Sequence, residues 1–285
     1  MKKYLQLLRV KNYIKNFLIG VPFIFSGDFF NIDCSYIELL LGFIAFCLIT
    51  SVVYIINDIV DIEKDKLHPT KCKRPIASKQ ITEKRGLIIA IILGLTAIVS
   101  LILLGNIVAL ALLLLYLMLN IIYSLILKKY PIIDIAVLSL FFIIRIYYGA
   151  ALVDVEVSSY LYLTVMSVAL MMGTDKRKNE KKYSAECRES LELYTHDCLT
   201  KLAYSFMVMS IIFYSLWVLS DVNIFLNNDI MLISIFFVTI ILTYYQYIIE
   251  QREEGNPVDI VLVNPLLLCL IFMYSILIIC GFIFR

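Results

Sequence analysis

The sequence is poor in charge. Only 17% of its 285 residues are Asp, Glu, Lys or Arg, while 61% are hydrophobic. A soluble domain is about half apolar and about a quarter charged, so the shortfall argues against an ordinary soluble protein. No soluble-like window is appended, which leaves one domain over residues 1–285 as the expectation. Seven cysteines (34, 47, 72, 187, 198, 269 and 280) form no CxxC pair. Their odd number and scatter argue against a disulfide framework and a zinc site. The basic start MKKYLQLLRVKNYIKN is followed by no small-residue cleavage pattern, so a retained first helix is expected rather than a cleaved signal peptide. No clear internal repeat of the transporter kind is visible.

What the chain has instead is apolar runs of about 20 residues, each long enough to cross a bilayer. Nine spans are expected, near 13–30, 37–57, 87–105, 107–127, 132–152, 159–175, 202–220, 230–249 and 264–284. The first is interrupted by Lys15, Pro22 and Asp28. Gly105 and Asn106 mark a tight turn between the third and fourth.

A second scarcity sets orientation. Apart from Arg145 and the last residue, Arg285, all Lys and Arg lie in the N-terminal segment or near 58–86, 128–131, 176–201 and 250–263. With nine spans these fall on one side. The opposite loops hold Asp28, Asp33, Asp154, Glu156, Asp221 and Asp229 but no Lys or Arg. The positive-inside rule then puts the N-terminus and the charged loops in the cytoplasm of a bacterial inner-membrane protein.

That rule does not ask for carboxylates, yet the charged loops carry them. Asp58, Asp61, Glu63 and Asp65 end the second span, and Asp175, Glu180, Glu186 and Glu189 follow the sixth. If the second helix continues past the membrane edge, Asn57, Asp61 and Asp65 recur at i, i+4 and i+8, with Asp58 beside Asp61. Clustered like charges are costly without a cation. Mg²⁺ prefers oxygen ligands and is commonly held by one or two carboxylates plus substrate phosphates. The motif N-D-x-x-D-x-x-x-D therefore reads as a diphosphate–Mg²⁺ platform or as a solvated helix end.

Lys71 and Arg74 follow in a stretch kept from regular helix by Pro69 and Pro75. Arg grips phosphate with two donors and Lys acts as a point charge. His68 reads equally as a phosphate contact or a loop histidine. Lys176 and Arg177, with Glu180 three residues on, form either a cytoplasmic anchor or a wall of a phosphate site. Arg145 lies inside a span, where an ionisable residue is expensive and faces a bundle interior or cavity. An anionic lipid headgroup, a substrate phosphate or a buried ion pair with another helix would satisfy it, and Asp134, eleven residues earlier, is too far along the helix to be a direct i, i+4 partner.

These residues resemble the UbiA superfamily of intramembrane prenyltransferases, whose first signature is the Asn57–Asp65 motif ending a second membrane helix. Within it they are most similar to the decaprenyl-phosphate phosphoribosyltransferase branch. His68 to Ser78 reads H-P-x-K-x-x-R-P-I-A-S, and further matches are Arg9 with Lys15 and Asn16, then Tyr123, Ser124, Lys128 and Asp134. Arg145 with Gly149 and Ala150, then Lys176, Arg177 and Glu180, then Arg188 and Tyr194, complete the pattern. The chain departs from it at Asn12, Tyr13, Tyr244–Tyr247 and Asn264.

The resemblance implies an all-α integral membrane protein, a nine-helix bundle with a central lipid-open cavity and a cytoplasmic cap. It implies Mg²⁺-dependent transfer of 5-phosphoribose from 5-phosphoribosyl diphosphate to a polyprenyl phosphate in cell-envelope biosynthesis. Asp58, Asp61 and Asp65 would be catalytic and, with Asn57, would hold the metal. Asn57, Lys71, Arg74, Lys176, Arg177, Glu180, Lys15, Asn16, Tyr123, Lys128, Asp134, Arg145 and Tyr194 would bind substrate. Partners are the two substrates and the bilayer, not nucleic acid, and a homo-oligomer stays open. Aromatic-substrate members carry a second D-x-x-x-D after the sixth span, where this chain reads Asp175-Lys-Arg-Lys-Asn179. That favours a donor with an additional phosphate over the alternative, prenyl transfer from a prenyl diphosphate. A third reading is a transporter or structural protein whose carboxylates merely bind cations.

Overall fold

The computed structural model describes residues 2–26, 36–67, 70–184, 191, 193–220, 228–251 and 257–284. His68, Pro69 and Arg188 lie outside them, as do Asp28, Asp33, Glu186, Glu189 and Asp221. The described residues form helices and turns, with no strand among them. The elements are α1 (Lys2–Leu8), a 3-10 helix (Val10–Gly20), α2 (Val21–Phe25), α3 (Tyr36–Val60), α4 (Ile62–Leu67), α5 (Glu83–Leu104) and α6 (Ile107–Leu125). There follow α7 (Ile133–Val153), α8 (Ser159–Ser184), α9 (His196–Leu219), α10 (Asn228–Gln251), α11 (Pro257–Val263) and α12 (Pro265–Ile283). Short 3-10 turns cover Lys71–Lys73 and Leu127–Lys129.

Seven of these helices (α3, α5, α6, α7, α9, α10 and α12) are long and apolar enough to cross a membrane. The expected sixth span lies within α8, which runs 26 residues to Ser184. The first expected span differs from a regular membrane helix. It comprises an 11-residue 3-10 helix and then α2, which restarts with Pro22 in its first turn. Proline lacks the N–H of an interior helical residue, so it sits where that donor is not needed.

The helix ends show why the elements stop where they do. Gly105 takes a left-handed φ of 71° at the end of α5, a conformation cheap only for glycine. Asn106 then caps α6, accepting from the Ala109 N–H at 2.9 Å. Thr82, Thr195 and Asn264 cap α5, α9 and α12 in the same way. On α5, Leu87, Ile88, Ile91, Ile92, Leu95, Val99, Ile102 and Leu103 are all exposed. A continuous apolar outer face of this kind needs a bilayer against it.

The chain divides into two compact units, residues 1–128 with 144–157, and residues 129–143 with 158–285. In the first, Leu7, Val52, Ile55, Ile62, Ile76, Ile81 and Ala90 form a core that joins α1, α3, α4, the 74–81 turn and α5. In the second, Met171, Met207, Leu242, Tyr245, Ile248, Ile249, Ile260 and Leu267 join α8 to α9, α10, α11 and α12.

Candidate active site

The carboxylate motif sits where α3 passes into α4. The Asp61 N–H donates to the Asn57 carbonyl at 2.9 Å, and the Asp65 N–H to the Asp61 carbonyl at 2.8 Å. Helical bonding therefore runs through the junction, and Asn57, Asp61 and Asp65 share one face at successive turns, as the spacing predicts. Asp58 and Asp65 are buried, with side chains 2% and 5% exposed.

Each motif residue has a partner from elsewhere in the first unit. Arg9 and Arg74 both bind Asp58 Oδ1, Arg74 at 3.2 Å. Arg74 also donates to Asp65 Oδ2 at 2.6 Å, so its guanidinium bridges two carboxylates. Lys128 Nζ donates to Asp61 Oδ1 at 2.8 Å. Ser124, one helical turn before Lys128, places its hydroxyl against Asn57 Oδ1. Two pairs spaced i and i+4 thus face each other, 57 and 61 against 124 and 128. Tyr123 is buried, and Lys71 lies in the short 3-10 turn that leads to Arg74.

Arg9 and Ser124 were not among the candidate site residues of the sequence. The resemblance contained them as pattern positions, but their partners are 49 and 67 residues away. Arg9 has a left-handed backbone (φ 51°) between α1 and the 3-10 helix, and its guanidinium lies over the Tyr54 ring at 4.7 Å.

The residues suit Mg²⁺ in kind. All four motif side chains offer hard oxygens, and Asp58 Oδ2 is buried without a hydrogen-bond partner. Among the described residues no three acidic, cysteine or histidine side chains already converge as a metal cage. Protein cations stand between the carboxylates instead.

Deeper in the first unit the 3-10 helix explains Arg145. With three residues per turn its side chains eclipse at i and i+3, so Tyr13, Asn16 and Ile19 line one face. Tyr13 pairs with Ser51 at 2.7 Å. Asn16 is fully buried and directs its amide N–H groups to Cys47 Sγ (3.2 Å) and Thr50 Oγ1 (3.3 Å). Its Oδ1 accepts from Arg145 Nε at 2.9 Å. Arg145 Nη2 donates to Tyr116 Oη at 2.9 Å, and the guanidinium lies over Phe46 and Tyr116. The buried cation is thus held by an amide oxygen, a phenol and two aromatic faces. Lys15, next to Asn16, is part-exposed.

The second unit carries the other candidates. Arg177 is fully buried, with Nε donating to Asp134 Oδ2 and Nη1 to Glu180 Oε2, both at 2.5 Å. The Tyr194 hydroxyl donates to Asp134 Oδ1 at 2.8 Å and accepts the Ile132 N–H. Burial raises the Tyr194 phenol above its usual range, and Asp134 adds to this. Lys181 Nζ donates to the Leu191 carbonyl at 2.8 Å and to that of Tyr194. Lys176 is more open, 4.0 Å from Glu180. On another face of α8, Asp175 accepts from Gln246 at 2.8 Å and Lys178 donates to Glu250 at 3.1 Å. A cavity of about 700 Å³ there is lined by Lys178, Asn179, His196, Asp197, Thr200, Ile249 and Glu250.

Long apolar helices whose charged clusters gather at or near their ends define an all-helical integral membrane protein. The chain belongs to the UbiA prenyltransferase family, whose model matches residues 26–276, and it is a transferase of that family. A decaprenyl-phosphate phosphoribosyltransferase from Mycobacterium tuberculosis is 28% identical over 264 residues, 90% of this chain and 86% of that protein. One from Mycolicibacterium smegmatis is 29% identical over 279 residues, 91% and 86% of the respective chains. The fold is shared with a UbiA homolog from Archaeoglobus fulgidus bound to GPP and Mg²⁺, with a TM-score of 0.74, 19% identity and 98% of both chains covered.

Proposed function

We propose that the protein transfers 5-phosphoribose from 5-phosphoribosyl diphosphate to a polyprenyl phosphate and releases pyrophosphate. An oxygen of the lipid phosphate attacks the anomeric carbon. The bond from that carbon to the diphosphate breaks, and its electrons leave on pyrophosphate. No strong general base is needed, because a phosphate monoester is already anionic near neutral pH. The carrying observation is the α3–α4 face, where Asp58, Asp61 and Asp65 stand among Arg9, Arg74 and Lys128. Names and coverage of the mycobacterial relatives support the same reading.

Asn57, Asp58, Asp61 and Asp65 would hold Mg²⁺, which supplies positive charge to the leaving diphosphate. Arg74 and Lys71 would bind diphosphate oxygens, and Lys128 or Lys15 the lipid phosphate. Arg145 and Asn16 would complete the lipid-phosphate end, and Tyr123 would bind substrate as well. In the second unit, Lys176 would bind a further phosphate. Arg177 and Tyr194 would act by fixing Asp134 and Glu180. Basic loops and the N-terminus would face the cytoplasm, where a soluble phosphosugar is available.

The second reading is prenyl transfer, which the GPP in the Archaeoglobus neighbour favours. Against it stands Asp175-Lys-Arg-Lys-Asn179 in place of a second acidic pair. The test follows label from phosphoribosyl diphosphate into a lipid extract, with purified protein, a polyprenyl phosphate and Mg²⁺. Label should appear in the lipid and be lost with chelator and in Asp61→Ala. No label across several lipid lengths, from a folded protein, would move the assignment to prenyl transfer.

A further inference from the structure

The charges of the α3–α4 cluster cancel. Three carboxylates, Asp58, Asp61 and Asp65, are set against three cations, Arg9, Arg74 and Lys128, all in direct ion pairs. A lone Mg²⁺ would bring two positive charges to a set that has no net charge. It would also have to take Asp58 and Asp65 from the arginines, leaving guanidiniums without their carboxylates, which is costly when the groups are half-buried. A lone diphosphate meets the converse problem, since Arg9, Arg74 and Lys128 are each engaged by a carboxylate. Together the two ligands remove both obstacles. The carboxylates pass to the metal and the guanidiniums pass to the phosphate oxygens, with no buried charge left single.

Both arginines are placed for such an exchange. Their side chains are 23% and 26% exposed, while Asp58 is 2% exposed, so the cations and not the carboxylate are the partners that face solvent. Arg9 and Arg74 stand at element junctions, before the long 3-10 helix and after the short one. Asp58 Oδ2, buried and without a hydrogen-bond partner, is an acceptor that the ion pairs leave unused.

We propose that Arg9 and Arg74 are exchangeable counter-charges that hold the metal platform closed until a diphosphate arrives, and that Arg9 is a diphosphate contact of the loaded site. Metal and diphosphate then bind as mutually dependent ligands, each tightening the other by the same factor. This rests on the platform being a metal–diphosphate site, but it is indifferent to which donor carries the diphosphate.

The experiment is calorimetry on the purified full-length protein with Mg²⁺ alone, inorganic pyrophosphate alone, and both. Because Mg²⁺ and pyrophosphate also associate in solution, the deciding arm is Mg²⁺ alone on Arg9→Gln and Arg74→Gln. Removing either plug should tighten Mg²⁺ at least tenfold over the unsubstituted protein while weakening pyrophosphate. Arg74→Lys keeps the charge and should stay close to the unsubstituted protein for Mg²⁺, which provides a folded comparison if a glutamine variant melts early. Mg²⁺ binding that is unchanged or weaker in both glutamine variants would overturn the proposal. So would tight Mg²⁺ binding to the unsubstituted protein that pyrophosphate does not improve. A protein that shows the coupling but moves no label from phosphoribosyl diphosphate would keep this inference and lose the donor assignment. Transfer without the coupling would do the reverse.

Discussion

At Gly149 two backbones meet. A Cβ built there would lie 1.9 Å from the Ile19 carbonyl oxygen, so the 3-10 helix can lie against α7 only because that side chain is missing. The contact matters for the site, because Ile19 is one 3-10 turn past Asn16 and Gly149 is one α-turn past Arg145. Losing it would pull the Asn16–Arg145 hydrogen bond apart. Gly149→Ala has two opposed effects. Alanine is favoured over glycine inside a helix by about 1 kcal/mol, whereas overpacking against backbone costs about 1–3 kcal/mol or more. The clash should win, giving a lower Tm in detergent. Gly94 is the control. A Cβ there would find only Val52 at 3.8 Å, an ordinary contact. Gly94→Ala should be neutral or raise the Tm. Equal losses at both positions would show that the 3-10 helix is not held through Gly149.

Among the elements, the start of α7 is tightly constrained. Ile132 has φ 67°, which a β-branched residue adopts only under constraint. Its N–H is held by Tyr194, whose hydroxyl also holds Asp134, which in turn holds Arg177. Tyr194→Phe removes one acceptor and one donor together and should cost about 1–3 kcal/mol. Ile132→Gly should act in the opposite sense, gaining about 1 kcal/mol, because Ile132 is exposed and glycine takes positive φ freely. Thermal melts of the two variants would check both signs, and destabilisation by Ile132→Gly would mean that the side chain packs rather than strains. None of this was legible in the sequence. Long apolar runs marked α3, α5, α6, α7, α9, α10 and α12, because a span writes itself as composition. The Asn57–Asp61–Asp65 face was legible too, because helical periodicity carries across the end of α3. The 3-10 geometry of Val10–Gly20 was not, since its residues would suit an α-helix equally and the difference lies in contacts with Ser51, Thr50 and Arg145. Nor was the burial of Arg177, for a basic residue at the end of a span reads as a cytoplasmic anchor or a phosphate contact until Asp134 is found 43 residues away.

For the whole molecule the sharpest expectation concerns sidedness. The seven apolar helices fix that the chain spans a membrane, but their geometry is indifferent to which face is inward. Charge is not indifferent. Apart from Arg145 and the final residue, every Lys and Arg lies in the N-terminal segment or in stretches that the nine expected spans put on one side, which the positive-inside rule assigns to the cytoplasm. Native cysteines report on this directly. Cys198 is exposed and Cys72 part-exposed, both in basic stretches, while Cys34 follows Asp33 in the sequence between the first two expected spans. In variants keeping one of these thiols each, a membrane-impermeant maleimide added to intact cells should modify Cys34 and spare Cys72 and Cys198. After the cells are opened, Cys198 should react as well. The reverse pattern would put the α3–α4 carboxylates outside the cell, away from soluble phosphosugars, and the phosphoribosyl reading would fall with the orientation. Labelling of Cys34 and Cys198 from the same side would instead mean that the number of crossings between them is even, whereas the nine expected spans would place five there.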